Sequence, residues 1–202
     1  MSPWTRVDGD TLRKLRVDPA SCAWVPFREV IAAGGSFLLN EYILPRLADV
    51  INVVALLRPL PGSLVNEEPM RFPYLESGDV DPSRILNSLK MSLIAVESRL
   101  SAIKPSMRER IRVLRGKSDS HSRSAEYSDL MVARHLLRDI IGVHRGVRAG
   151  RRIYVAYSFH RERILDLSSG EEDRALELLM KRDEGAREAI QGIFKKLRSR
   201  DG

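Results

Sequence analysis

The sequence predicts a mainly α protein: a helical bundle that carries one short basic β-hairpin and ends in further helices. Apolar residues recur at spacings of three and four over 86–103 and again over 176–197, the signature of one buried helical stripe. Only 151–159, RRIYVAYSF, alternates convincingly with period two. Proline and glycine fall mostly at the ends of the periodic stretches, where helices start and stop.

The chain has 202 residues, 43% of them hydrophobic, which suffices for a real core. Its single cysteine, Cys22, excludes an intrachain disulfide and suits a reducing compartment. No apolar run approaches the roughly 20 residues that span a bilayer. The start, MSPWTRVDGD, lacks a basic stretch followed by an apolar one, so the expectation is a cytoplasmic protein without a membrane partner. The formal charge of +7 is unevenly spread. Residues 104–163 hold fifteen Lys and Arg against six Asp and Glu, a local +9. Such a concentration favours a polyanionic partner, because neutralising phosphates releases counterions, although a solvated Arg-rich face has the same composition.

Four regions follow: an N-terminal helical region (1–57), a Pro-rich linker or loop (58–80), a basic domain (81–167) and a C-terminal helical region (168–202). Asp8 or Asp10 can cap a short helix over 11–17, closed by Asp18-Pro19. A second helix is expected from Trp24 to Gly34-Gly35, with Pro26 in its first turn and Trp24, Phe27, Val30 and Ile31 buried. Over 36–57 the spacing of Leu47, Val50, Val54 and Leu57 predicts helix, with INVVALL (51–57) as an alternative buried strand. Pro59, Pro61, Pro69 and Pro73 make 58–80 extended, and Phe72, Tyr74 and Leu75 imply that part of it packs.

Asp81-Pro82 starts a helix whose Leu86, Leu89, Leu93, Val96, Leu100 and Ile103 form the seam of a helix pair, with a partner in the same chain the default. Pro105 breaks it, and a basic helix is expected over 106–114, closed by Gly116. After the polar stretch 117–124, the next helix puts Leu130, Ala133, Leu137, Ile140 and Ile141 inward and Ser128, Met131, Val132, His135, Arg138 and Asp139 outward. Residues 143–148 are then expected as a short strand, Ala149-Gly150 as a tight turn and 151–159 as the return strand. HRERILDL (160–167) reads as a short helix, and Ser169 to Glu172 as a capping box for a helix bearing Leu176 and Leu179. Asp183 and Gly185 mark a break before Ala186, Ile190, Ile193 and Leu197.

Short helices, a last helix ending in Gly-Val and then a basic hairpin: this order resembles the winged helix-turn-helix DNA-binding domain over about residues 83–159. The segment IIGVHRGVRAGRRIYVAYS, from Ile140 to Ser158, carries most of the likeness. The resemblance implies a winged-helix-like unit in which the helix from Ser106 positions, the helix over 125–141 enters a groove, and the hairpin at 148–152 is the wing. It implies that Ser128, His135 and Arg138 face base edges or nearby phosphates, that Arg145, Arg148, Arg151 and Arg152 reach phosphates from the wing, and that Arg108, Arg112 and Arg115 reach the backbone from the flanking helix. Duplex DNA is then favoured over RNA, in a role such as transcription regulation.

Nothing points to catalysis. The four histidines lack ligand spacing, and neither a phosphate-binding Gly-rich loop nor a nucleophile elbow is present. The expectation is a non-enzymatic nucleic-acid-binding protein with no cofactor and no metal. The alternative is a scaffold subunit of a nucleic-acid-processing assembly that binds proteins through helical faces. The C-terminal helices could form a homodimer or partner contact or pack on the N-terminal helices of the same chain, the latter slightly preferred.

Overall fold

Two antiparallel strands from distant parts of the chain form the centre of the molecule: β2 (Cys22–Ala32) and β6 (Arg148–His160), in register from Cys22 opposite Ser158 to Ile31 opposite Arg148. The computed structural model describes residues 4–5, 7–32, 35–60, 64–65, 70–76, 81–103, 121–141, 148–160 and 163–199. Around the central pair the sheet runs β4 (Leu57–Pro59), β3 (Gly35–Asn40), β2, β6, β1 (Trp4–Thr5), β5 (Leu64–Val65). Beyond β1 on the same edge of β6 lies β7 (Arg163–Asp166), followed by β8 (Glu171–Glu172). These pairings are antiparallel except β1 with β6, and the sheet curls into a half-barrel.

This sheet overturns the expected mainly α bundle with one hairpin. Residues 24–32, expected in a helix ending at Gly34-Gly35, are instead most of an eleven-residue strand. The run 22–27 is apolar without interruption because both of its faces are buried, and such a run cannot be told from a helix by periodicity. Pro26 sits inside this central strand because its missing N–H points away from β6: its carbonyl accepts from Glu41 N at 2.9 Å, beyond the last β3 residue, while Pro26 and Tyr154 face each other on the other side. Over 36–57 there is a strand, β3, then turns and two 3-10 helices (Leu44–Arg46 and Val50–Leu56), and the Val53 and Leu56 spacing of three suits the tighter helix. The segment 160–167 is largely β7 rather than helix. No wing turns at Ala149-Gly150, since both residues lie within β6. The expected strand 143–148 and the helix 106–114 lie outside the described residues, apart from Arg148, which opens β6.

The helices come closer to expectation. Helix α1 (Gly9–Leu15) is capped by the Asp8 side chain, which accepts from Thr11 N at 2.7 Å. Helix α2 (Pro82–Ile103) packs beside α3 (His121–Ile141), with Leu89, Val96, Leu100, Leu130, Leu137 and Ile140 buried. Arg99 with Glu126 and Arg138 with Glu97 tie the pair at its rim. The capping-box start at Ser169 gives way to β8, and α4 (Arg174–Arg182) begins later, with Asp173 accepting from Leu176 N at 3.1 Å. Helix α5 (Glu184–Arg198) follows. No helix among the described residues is long and apolar enough to cross a membrane.

Two apolar clusters fill the two faces of the sheet. The larger joins Ala23, Val25, Phe27 and Val30 of β2 and Ile153, Val155, Tyr157 and Phe159 of β6 to all four helices from α2 to α5. The smaller packs Leu12 of α1, Phe72 and Leu167 on Cys22, Trp24 and Ala156. Phe72 and Leu75 are buried, and the chain at 73–75 runs alongside β2, with Trp24 N donating to Pro73 O at 2.8 Å and Leu75 N to Trp24 O at 2.9 Å.

One carboxylate locks the C-terminal helices to this body. The buried Asp183, between α4 and α5, accepts from Ala186 N (2.9 Å), Ala48 N and Asp49 N (3.0 Å each) and Asn52 Nδ2 (2.9 Å). Burial works to raise its pKa, but the amides of Ala48, Ala186 and Asp49 and the Asn52 side chain outweigh it and hold it below the ordinary 3.8. Gly185 lies so close that a Cβ would come within 1.8 Å of Arg46 O. Asp183→Asn, which turns an amide donor toward these donors, should lower unfolding stability in urea by about 3 kcal/mol at neutral pH. Because the folded pKa is depressed, that contribution is complete above the ordinary carboxyl range and fades as pH falls through the folded value. The gap between wild type and variant should therefore close in acid, and an undiminished gap there would contradict the assignment.

Candidate nucleic-acid interface

The second half of β2 and the first half of β6 bring most of the described wing candidates together. Arg28 and Arg152 are direct cross-strand partners, an arrangement of like charges that opposes pairing. Glu41, just past β3 and fully buried, resolves it. Its Oε1 accepts from Arg28 Nε (3.1 Å) and Nη2 (2.7 Å), and its two oxygens accept from Arg152 Nε (2.6 Å) and Nη2 (3.3 Å). The hydrogen bonds to Glu41 raise the Arg152 pKa despite partial burial. One carboxylate between two guanidinium groups leaves a fixed surplus of one positive charge.

Local backbone geometry explains the placement. The pairing of β2 with β6 shifts register between Arg28 and Val30: Gly150 and Arg151 of β6 stand opposite Glu29 alone, so the bulge lies in β6. A Cβ on Gly150 would meet the end of the Glu29 side chain at 2.6 Å, so the glycine suits a close approach within the strand and not a turn. Glu29 also lies 3.8 Å from Arg151 Nε. Arg148 and Arg151 are exposed at this end of the sheet, while Arg152 is part-buried.

The α3 candidates occupy a different place. Ser128 and His135 are exposed on its outer stripe, and Arg138, also exposed, donates from Nε to Glu97 at 3.0 Å. Helix α3 packs its Leu137 and Ile140 face into the larger cluster, while Arg152 lies on the β6 face shared with Tyr154 and Ala156, which belongs to the smaller one. The helix candidates and the Arg28–Arg152 group thus belong to different elements, with Arg138 paired to Glu97 of α2 and Arg152 to Glu41 beside β3. Arg108, Arg112, Arg115 and Arg145 lie outside the described residues.

Sequence reasoning missed Arg28, Glu41 and the aromatic neighbours of Arg152. The Tyr154 ring meets Tyr74 edge to face at 5.2 Å, and Tyr74 is 42% exposed. The sequence signal for Tyr154 is no more than the period-two alternation of its strand, and Glu41 has none, standing 111 residues from Arg152.

Other polar groups serve the fold. Arg58 is part-buried and donates to the Tyr157 hydroxyl, to Asp166 and, at 3.4 Å, to Ser168 Oγ. Burial pushes the Tyr157 phenol well above its ordinary range, so it stays protonated and donates to Asp173 at 2.8 Å. Cys22 is buried and its thiol is pushed up to about 12, chiefly by desolvation, which makes it a poor nucleophile. A cleft of about 480 Å³ is lined by Arg16, Asp18, Ser158, His160, Arg163 and Glu172 among others, of which Arg163 and Glu172 pair at 3.5 Å. Among the described residues no three His, Cys, Asp or Glu side chains are grouped to hold a metal ion. What the Arg28–Arg152 group can do is hold an anion. Comparison with family models, with curated proteins and with solved structures returned no match.

Glu41→Gln should cost about 3–5 kcal/mol in urea unfolding, because it leaves two facing guanidinium groups without their counter-charge. Arg152→Gln should cost only about 1–2 kcal/mol, because Arg28 still satisfies the carboxylate. Equal losses in the two variants would mean that Glu41 does not bridge the pair.

Proposed function

We propose that the chain is a non-enzymatic protein that binds nucleic acid through the sugar-phosphate backbone. The observation that carries this reading is the distribution of charge. The local +9 over 104–163 is densest in two segments that adjoin the ends of α3: 104–120, with six Lys and Arg against two Asp and Glu, and 142–152, with four Arg and no acid. The second segment runs into the exposed start of β6 and the surplus charge at Arg28 and Arg152. Sequence-specific reading by α3 is left out of the proposal. Its outer stripe mixes Ser128 and His135 with Asp129, Val132 and Asp139, and Arg138 is engaged by Glu97.

A scaffold role is the second reading, favoured by Met91 and Ile94 on α2 and Val132 on α3, which are 53%, 59% and 66% exposed. The C-terminal helices offer less to a partner: Leu176, Leu179, Ile190, Ile193 and Leu197 are in the core, and Leu178 is the large apolar side chain that α4 exposes.

Fluorescence anisotropy with a labelled DNA duplex should show affinity falling steeply with salt. Arg145→Ala with Arg148→Ala should weaken binding on every sequence tested and flatten the log–log salt slope by about 2, close to one unit per lost phosphate contact. Absence of binding to duplex and single strands alike at about 50 mM salt, where phosphate contacts are strong, would remove the proposal.

A further inference from the structure

We infer that the outer face of the sheet around Tyr74, Tyr154 and Arg152 is a stacking platform for single-stranded nucleic acid. This rests on the nucleic-acid reading above and names its substrate class. Tyr154 and Arg152 project from the same face of β6, two residues apart, and Tyr154 hydrogen-bonds with Arg152. Tyr74 reaches Tyr154 from the opposite side of β2, and the two rings meet edge to face at 5.2 Å. Tyr74 is held firmly although it is 42% exposed: Pro73 and Leu75 are hydrogen-bonded to Trp24 on either side of it, and Phe72 and Leu75 are buried. An exposed aromatic ring on a fixed backbone offers a stacking surface at little entropic cost.

The cations lie along the same strand. Arg152 and Tyr154 share one face of β6 about 7 Å apart, and beyond the bulge Ala149, opposite Val30, continues that face while Arg148 falls on the other. Arg28 stands opposite Arg152, and Glu41 cancels only one of these two charges. Rings beside surplus guanidinium charge on a curled sheet fit an unpaired strand, whose bases present faces for stacking and whose phosphates need cations. A duplex hides those faces and displays only edges. The positive surplus also argues against an apolar peptide as the occupant.

The test is anisotropy with labelled oligo(dT) and oligo(U) of about 15 nucleotides and a duplex of the same length, at low salt. Both single strands, or whichever sugar the site prefers, should bind more tightly than the duplex. Tyr74→Ala should weaken single-strand binding about fivefold or more, the effect of losing one stacked base, and leave duplex binding unchanged. Tyr74→Trp should retain single-strand affinity, and circular dichroism melts check that both variants stay folded. A duplex preference, or a Tyr74→Ala variant that binds single strands like wild type, overturns the platform while leaving backbone binding in place. Failure of all three probes to bind overturns both.

Discussion

The pairing of β2 with β6 is the constraint on which everything else depends. It brings residues 22–32 against residues 148–160, so the two ends of one sheet wall come from segments separated by more than half of the chain. Both faces of this pair are covered over 22–25 and 155–158, by helices on one side and by α1 with residues 70–73 on the other. Closing so long a loop costs only a little more entropy than closing a shorter one, whereas burial of Trp24, Phe27, Tyr157 and Phe159 removes large apolar areas from water. The helices are consequences of that wall. Helices α2 to α5 supply the apolar stripes that the inner face needs, and Asp183 and Gly185 set how closely the last two approach it.

Burial runs out along the same two strands, and the change of character there creates the candidate site. At Cys22, Trp24 and Pro26 the outer face is buried, at Tyr154 it is aromatic and half covered, and at Arg28 and Arg152 it is charged. Two opposed arginines would weaken the sheet, and a solvent-exposed carboxylate would gain little by bridging them. Glu41 is fully buried and accepts two hydrogen bonds from each arginine, on Oε1 alone from Arg28 and on both oxygens from Arg152, so removing it would strand both charges. A charge surplus that structure holds in place, with no side-chain ordering left to be paid on binding, is a better anion site than the same arginines on a mobile hairpin.

The elements that the sequence made legible are those whose signal is local. The inward and outward faces of α3 match burial at most positions, from buried Leu130, Leu137 and Ile140 to exposed Ser128, Val132 and His135, while Met131, expected outward, is half-buried against the core. The alternation in 151–159 correctly marks a strand, and Asp183 correctly marks a helix break. The strand at 22–32 was not legible, because an uninterrupted apolar run has no period and Pro26 looked like a helix start. Ala149-Gly150 reads as a turn because glycine usually marks one; here Gly150 lies in the bulge of β6 against the Glu29 side chain, a reason that resides in its pairing with another strand. Arg148, Arg151 and Arg152 were legible as a basic cluster, but Arg28 and Glu41 were not, since only tertiary pairing makes them neighbours.

That difference changes what the arginines mean. In a hairpin wing, Arg148, Arg151 and Arg152 would be equivalent side chains reaching outward. In a central strand, side chains alternate between faces, so Arg152 belongs to the Glu41 bridge, Arg151 lies near Glu29, and Arg148 opens the strand toward solvent. The three are therefore not equivalent. Arg152 sits beside Tyr154 on one face of the strand, and Arg148, beyond the bulge, lies on the other. On the proposed reading, such a protein would recognise a charged polymer by the shape and chemistry of a sheet face rather than by a helix in a groove.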